Sequence, residues 1–359
     1  MEKSLINTYK TNKNIDRNID RNIGIDILRF IAAFGVICIH QPFEGEFGQY
    51  FKALSRFSVP IFFMITGYFY NQTVKNGKEN KQIVKIIKLC IISNLLYFLY
   101  DIIIIIYKNG NIASYFQNTF NFKSISKLIL FNESPFGYHL WYLNALLYVL
   151  IIAKIVNKHD KYKWMYLITP VLLLLNLIIG KYSLITIKRD ISFIYVRNFL
   201  LLGIPYFFIG SYINNKFSNG KIFIKKKYLV VFVLIFCMST IIERTILVNN
   251  SVNGAIDYYL STIFLSISIF IICLRYNMNS NNRLLLVISE FGKKYSIGIY
   301  IFHPIIRTIL SKFNIYGIYR SFAPIWILLI TLIICIIYKL LKKYILNFVQ
   351  SRWSLENNN

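Results

Sequence analysis

Apolar positions run along this chain in ten blocks of about 16 to 25 residues, fenced by short stretches rich in Lys, Arg, Asn and Asp. The blocks fall at 23–42, 57–72, 83–107, 139–157, 164–180, 194–214, 228–248, 256–275, 294–312 and 322–346. A run of about 20 apolar residues coiled as a helix matches the hydrocarbon thickness of a bilayer. The pattern therefore predicts an all-α, polytopic integral membrane protein of about ten transmembrane helices. The second block is short, and Pro60 near its start suits a helix N-terminus. The longest connection is 110–138, read as a loop. A basic tail (1–22), read as disordered and cytoplasmic, precedes one transmembrane domain (23–346), and a short tail (347–359) follows. No internal repeat and no separate soluble domain is expected.

Composition agrees with this reading. The chain is 56% hydrophobic, with a mean hydropathy of +0.51 over 359 residues, more apolar surface than one soluble core of this length hides. The net charge is +26, which in a soluble protein points to nucleic acid. Here the basic residues sit between apolar blocks and no basic stripe alternates with stacking aromatics, so the expected partner is the lipid bilayer and not nucleic acid. If the N-terminus is inside, 27 of the 41 Lys and Arg fall on inner segments and their block ends and 12 on outer ones, with Arg29 and Arg197 counted on neither side. Basic loops stay in the cytoplasm, so both termini are expected there, in a bacterial cytoplasmic membrane. The first 22 residues lack the apolar stretch of a cleavable signal. Cys38, Cys90, Cys237, Cys273 and Cys335 all lie in apolar blocks without a CxxC pair, so neither a disulfide framework nor a metal site is expected.

Ionisable side chains inside a membrane are costly and mark function by default. The first block carries Asp26, Arg29 and His40, and the last two are eleven residues apart. That is close to three helical turns, so both share one face, about 16 Å apart along the axis at 1.5 Å per residue. Snorkelling of Arg29 and interfacial capping by His40 is the competing reading. Glu44, one turn further, either orients His40 or is an interfacial acid beyond Pro42. His139 opens the fourth block beside Tyr138, Trp141 and Tyr142. Two roles are open to it, a place in an aromatic belt or contact with a sugar substrate. His303, followed by Pro304 and preceded by Tyr300, lies near mid-membrane, where a proline-interrupted helix suggests a cavity. Arg197 opens the sixth block as an interface anchor or a substrate contact. His159 lies in a charged cytoplasmic loop.

These motifs together resemble the multi-spanning acyltransferase family 3. GIDILRFIAAFGVICIH, holding Arg29 and His40, resembles its first-helix signature, and VPIFFMITGYF (59–69) its second-helix motif. HLWYL (139–143), RNFLLLGIPYFFIG and GKKYSIGIYIFHPII (292–306) resemble later motifs, in order, across 23–346. The resemblance implies an enzyme that takes an acyl group, usually acetyl, from cytoplasmic acyl-CoA and passes it to a hydroxyl of a cell-envelope sugar or glycolipid outside. It implies that Arg29 and His40 are essential. Thr66 departs from the serine common in the second motif. An appended extracytoplasmic esterase-like or racemase domain, found in some members, is not expected, which leaves the acceptor without a second clue.

Acyl transfer to a hydroxyl needs a base and stabilisation of a tetrahedral oxyanion. His40 at the outer end suits the base, and Arg29 in the inner half suits the acyl-CoA donor. His139, Trp141, Arg197, Tyr300, His303 and Glu44 remain as candidate substrate contacts. No Ser or Cys has an adjacent base, so direct transfer is expected, with no bound cofactor. The competing function is a transporter or flippase for an envelope glycan precursor.

Overall fold

The computed structural model describes residues 22–217, 224–252, 258–275, 282–312 and 320–356. Among them the regular structure is entirely helical. Most of the expected tail 1–22 and the last three residues lie outside the described residues.

The first helix, α1, spans Ile23–His40. It starts where the Asn22 side chain accepts a hydrogen bond from the Ile25 N–H at 3.0 Å, satisfying one of the donors a helix N-terminus leaves open. It ends before Pro42. Then come α2 (Gly45–Leu54), a 3-10 turn (Ser55–Phe57), α3 (Ser58–Lys75) and α4 (Glu79–Tyr107). The connection read as a loop holds two short helices, α5 (Ile112–Thr119) and α6 (Phe122–Phe131). Asn111 and Asn121 cap them through their side chains, and Asn132 ends α6 in a left-handed conformation, φ 57°. Helices this short leave no long apolar block to read.

The chain continues through α7 (Trp141–Lys158), α8 (Tyr162–Ile179), a π-turn (Phe199–Gly203) running into α9 (Ile204–Phe217), α10 (Lys226–Asn249), α11 (Leu260–Arg275), α12 (Arg283–Lys312) and α13 (Ala323–Glu356). Each of the ten expected blocks overlaps one of these helices. Six stretches are long and apolar enough to cross a membrane: Ile23–His40, Glu79–Tyr107, Tyr138–Lys158, Tyr162–Ile179, Lys226–Asn249 and Arg320–Ile345. Leu260–Arg275 is apolar but shorter. α3 ends in polar residues, and α12 begins eleven residues before its apolar block, with Glu290 and Lys294 paired across one turn of that polar start. α13 likewise continues ten residues past its block.

α1 and the α7 stretch are each 56% buried, whereas α4 and α10 are 17% and 11% buried. The first two form the centre; the others present Ile91, Ile92, Leu234 and Ile242 outward. α12 packs along α1, and α9 along α3. Both contacts depend on missing side chains. A Cβ at Gly292 of α12 would stand 1.8 Å from the Asp26 carbonyl oxygen of α1. One at Gly67 would stand 1.9 Å from the Phe207 carbonyl, and one at Gly210 2.0 Å from that of Met64. Small residues that let backbones meet are the usual device of helix contacts in membranes.

Candidate functional site

Two polar features interrupt this apolar interior, joined by aromatic rings. The first surrounds Arg29. Its Nη1 lies 2.6 Å from Asp26 Oδ1, one turn earlier on the same helix, and its guanidinium sits 5.7 Å from the Phe69 ring centre. Asp26 is buried in the first turn of α1, where the helix dipole favours a carboxylate. Arg29 faces a cavity of about 330 Å³ enclosed by α1, α3, α4, α7 and α12. Gln82, Lys85 and Lys293 line it, with Thr66, Tyr142 and Tyr300. Gln82 Oε1 is buried there with no hydrogen-bond partner among the described residues. Thr66 donates to the Phe62 carbonyl at 2.9 Å, so its hydroxyl is held by its own helix.

The second feature is a cluster of imidazoles. His40 closes α1, His139 precedes α7 and His303 sits in α12. The His40 and His303 rings stack with centres 5.3 Å apart and planes 27° apart. His139 and His303 are 5.7 Å apart at a steep angle. His303 is fully buried and His139 2% exposed. His303 Nδ1 lies 3.0 Å from the Ile299 carbonyl oxygen. A carbonyl only accepts, so Nδ1 carries the proton and Nε2 keeps a lone pair; Nε2 has no partner among the described residues. Neither nitrogen of His139 has one. His40 Nδ1 meets the Tyr138 hydroxyl at 3.3 Å, and that hydroxyl accepts from Arg307 Nη1 at 3.3 Å.

Tyr300 links the two features. Its hydroxyl donates to the His139 carbonyl, and its ring lies 5.4 Å from Tyr142, which lines the Arg29 cavity. Helices α1, α7 and α12 thus carry a path of touching side chains that leads from Tyr142 and Tyr300, in the wall of the Arg29 cavity, to His139, His303 and His40.

A family described as an acyltransferase domain matches residues 22–341. The chain belongs to the acyltransferase 3 family. Two amino-acid racemases of Enterococcus faecalis are similar to it. One is 27% identical over 60% of this chain and 30% of its own length. The other is 30% identical over 39% of this chain and 20% of its own. The chain thus spans less than a third of these relatives. No solved structure matches. With its apolar helices, membership makes this a multi-pass membrane protein.

In this acyltransferase 3 chain, Arg29, Tyr300, His303, His139 and His40 share the path. Trp141 packs on Phe63, ring centres 6.5 Å apart. Arg197 lies over the Phe193 ring at 4.9 Å. Glu44 accepts from the Ser321 hydroxyl at 2.7 Å and pairs with Arg320 at 3.7 Å, so Tyr138, not Glu44, meets His40 Nδ1. Tyr138 and Asp26, noted in the sequence only as an aromatic neighbour and as a charge in the first block, complete the site with Arg307, Gln82, Lys85 and Lys293, which had not stood out.

Beside the imidazole end, in connecting segments, burial and then the neighbouring Arg56 push Lys52 below the usual lysine range. Burial and then Arg56 push Lys181 down to about 8.

Proposed function

We propose that this protein is a membrane O-acyltransferase, most simply an O-acetyltransferase, of the bacterial cytoplasmic membrane. It moves an acyl group from cytoplasmic acyl-CoA to a hydroxyl of an extracytoplasmic envelope polysaccharide or glycolipid. The ten helices are its spans and both termini lie in the cytoplasm, the side to which the basic segments assign the Arg29 end.

The observation that carries this reading is the chain of aromatic contacts that joins a cationic cavity at one end of α1 to three imidazoles at the other. The cavity's volume is within the range of small-molecule sites. Arg29, Lys85 and Lys293 suit the charged parts of a CoA ester. The buried Gln82 Oε1 suits an amide N–H of its pantetheine arm, since an unmet buried acceptor costs about 1–3 kcal/mol. Acyl-CoA is thus a substrate, with no resident cofactor.

At the other end His40 takes the proton of the acceptor hydroxyl as its oxygen attacks the thioester carbonyl. The tetrahedral oxyanion collapses, the C–S bond breaks, and the thiolate leaves to be protonated as free CoA. The oxygen keeps the acyl group. His303, with its proton fixed on Nδ1, stacks on His40 and keeps a free lone pair on Nε2 beside it. Ser and Cys side chains with a neighbouring base are lacking among the described residues of this path, which favours direct transfer. Racemisation is not proposed: that name belongs to relatives that this chain matches over less than a third of their length.

The test is transfer of labelled acetyl from CoA to a glycan by purified protein, with mass spectrometry locating the ester. If the glycan instead crosses the bilayer unmodified in a His40-dependent way, the protein is a transporter.

A further inference from the structure

The two short helices between α4 and α7 do not stand clear of the spanning helices. They fold back along α4. The Phe98 ring of α4 lies 5.9 Å from that of Phe116, 6.3 Å from Phe120 and 5.6 Å from Phe136, centre to centre. Asp101 accepts from the Tyr115 hydroxyl at 3.0 Å. Further down α4, Ser134 donates to Asn94 Oδ1 at 2.6 Å. Phe98 stands nine residues before the end of α4, about 14 Å along the axis at 1.5 Å per residue. The exposed side chains Leu95, Leu99, Ile103 and Ile106 keep α4 apolar to its last turn. The level of Phe98 therefore falls within the apolar length of this span and not beyond it.

Both short helices are amphipathic. In α5, Ile112, Phe116 and Phe120 share one side, and Ser114, Gln117 and Asn118 the other. In α6, Phe122, Ile125 and Ile129 share one side, and Lys123 and Lys127 lie four apart on another. Phe116, Phe120, Phe122, Ile125, Ile129 and Leu130 are all exposed, Phe122 to 87%. Large apolar side chains left exposed together mark an interaction surface. The polar groups are met within the hairpin. Asn111 and Asn121 accept from the N–H groups of Ser114 and Ser124, and Lys127 pairs with Glu133 at 3.8 Å. A segment that enters lipid needs its polar groups satisfied in this way.

We propose that the α5–α6 hairpin is seated in the outer leaflet, with its exposed apolar side chains against the acyl chains of phospholipids. The partner is lipid because the hairpin packs at the level of the α4 side chains that themselves face lipid. Lys123 and Lys127 suit the headgroup phosphates, to which their long stems can reach. A helix seated in this way buries its apolar side about 5–10 Å into the boundary between headgroups and chains. The same segment runs on to Tyr138, whose hydroxyl meets His40 Nδ1 at 3.3 Å, so one neighbour of the imidazoles is carried by a lipid-seated element. The inference rests on the cytoplasmic placement of the termini only for the word outer.

The experiment uses the full chain in phosphatidylcholine nanodiscs, with a nitroxide on single cysteines in a background lacking the five native ones. The sites are Phe122→Cys, Ile129→Cys and Gln117→Cys. Leu99→Cys is the reference for lipid and Asn76→Cys that for water. Molecular oxygen concentrates in lipid and a nickel chelate in water, so their relative effect on the label reports its depth. Labels at Phe122 and Ile129 should favour oxygen, as at Leu99, and lie about 5–10 Å below the headgroups. The label at Gln117 should be reached by nickel, as at Asn76. Nickel reaching Phe122 and Ile129 as freely as Asn76 overturns the inference. So do labels there that neither agent reaches, because protein would then cover the surface. The unmodified chain gives a second reading that needs no variant. Phosphatidylcholine with a diazirine in mid-chain should leave adducts within 112–131, and adducts on α4 without any there also overturn the inference. A hairpin that favours oxygen in a chain whose Asn76 site is labelled from outside intact cells would sink the topology alone.

Discussion

Replacing Gly292 by Ala tests whether the α1–α12 contact sets the geometry of the site. The added Cβ would lie 1.8 Å from the Asp26 carbonyl oxygen and 3.0 Å from the Phe30 backbone nitrogen. Both are backbone atoms and cannot rotate away. Ordinary contact begins at 3.4 Å, so the helices must part locally by about 1.6 Å. Overpacking of this kind costs about 1–3 kcal/mol, which the fold should survive. The site should not. α1 carries Arg29 and His40, α12 carries Tyr300 and His303, and a 1 Å misplacement of reacting groups costs about 100-fold in rate. Gly292→Ala should therefore accumulate in the membrane, melt lower in detergent, and lose about two orders of magnitude in kcat for acetyl transfer. Gly77→Ala is the control. Gly77 has φ 62° with no atom within 4 Å of an added Cβ, so Ala there costs roughly 1–2 kcal/mol of backbone strain and should leave kcat unchanged. Near-native kcat in Gly292→Ala, or an equal loss in Gly77→Ala, would refute the argument.

Arg29→Lys keeps the charge and loses the fork that Asp26 holds, so KM for acetyl-CoA should rise about ten- to hundred-fold, on the scale of a charge-assisted hydrogen bond; an unchanged KM would remove Arg29 from the donor side. Lys181 is held down to about 8 by burial first, with Arg56, Arg244 and Lys52 acting the same way and Glu243 opposing them. Between that value and the ordinary 10.5 the unfolded chain binds the extra proton, so thermal stability should rise with pH, and Lys181→Gln should flatten that trend. An impermeant thiol reagent applied to intact cells should miss a single cysteine placed at Asn76 and label one in the loop that holds Glu44; labelling at Asn76 would invert the topology.

Much of the path was legible because it lies along one helix. The spacing from Arg29 to His40 is a property of α1 alone, and periodicity shows it. His139 and His303 were visible as costly groups, but their convergence on His40 depends on how α7 and α12 pack against α1, which no local pattern encodes. Asp26 was noted as a charge within the first block and not as the partner of Arg29, although a three-residue spacing is the signal that would have paired them. Gln82 and Lys293 read as loop-flanking polar residues because hydropathy ends a span where α4 and α12 in fact continue, and Lys85, just inside its block, read only as one of the inner basic residues.

The central claim is that this chain passes an acyl group from CoA at the Arg29 end to a hydroxyl at the His40 end. The measurement uses purified protein in sealed liposomes, with labelled acetyl-CoA supplied on the side of the basic loops and a glycan acceptor on the other. Labelled acetyl ester on the glycan, abolished by His40→Ala with the variant still inserted, is the predicted result. Glycan that stays unlabelled with the native chain, or labelling that persists in His40→Ala, would contradict it.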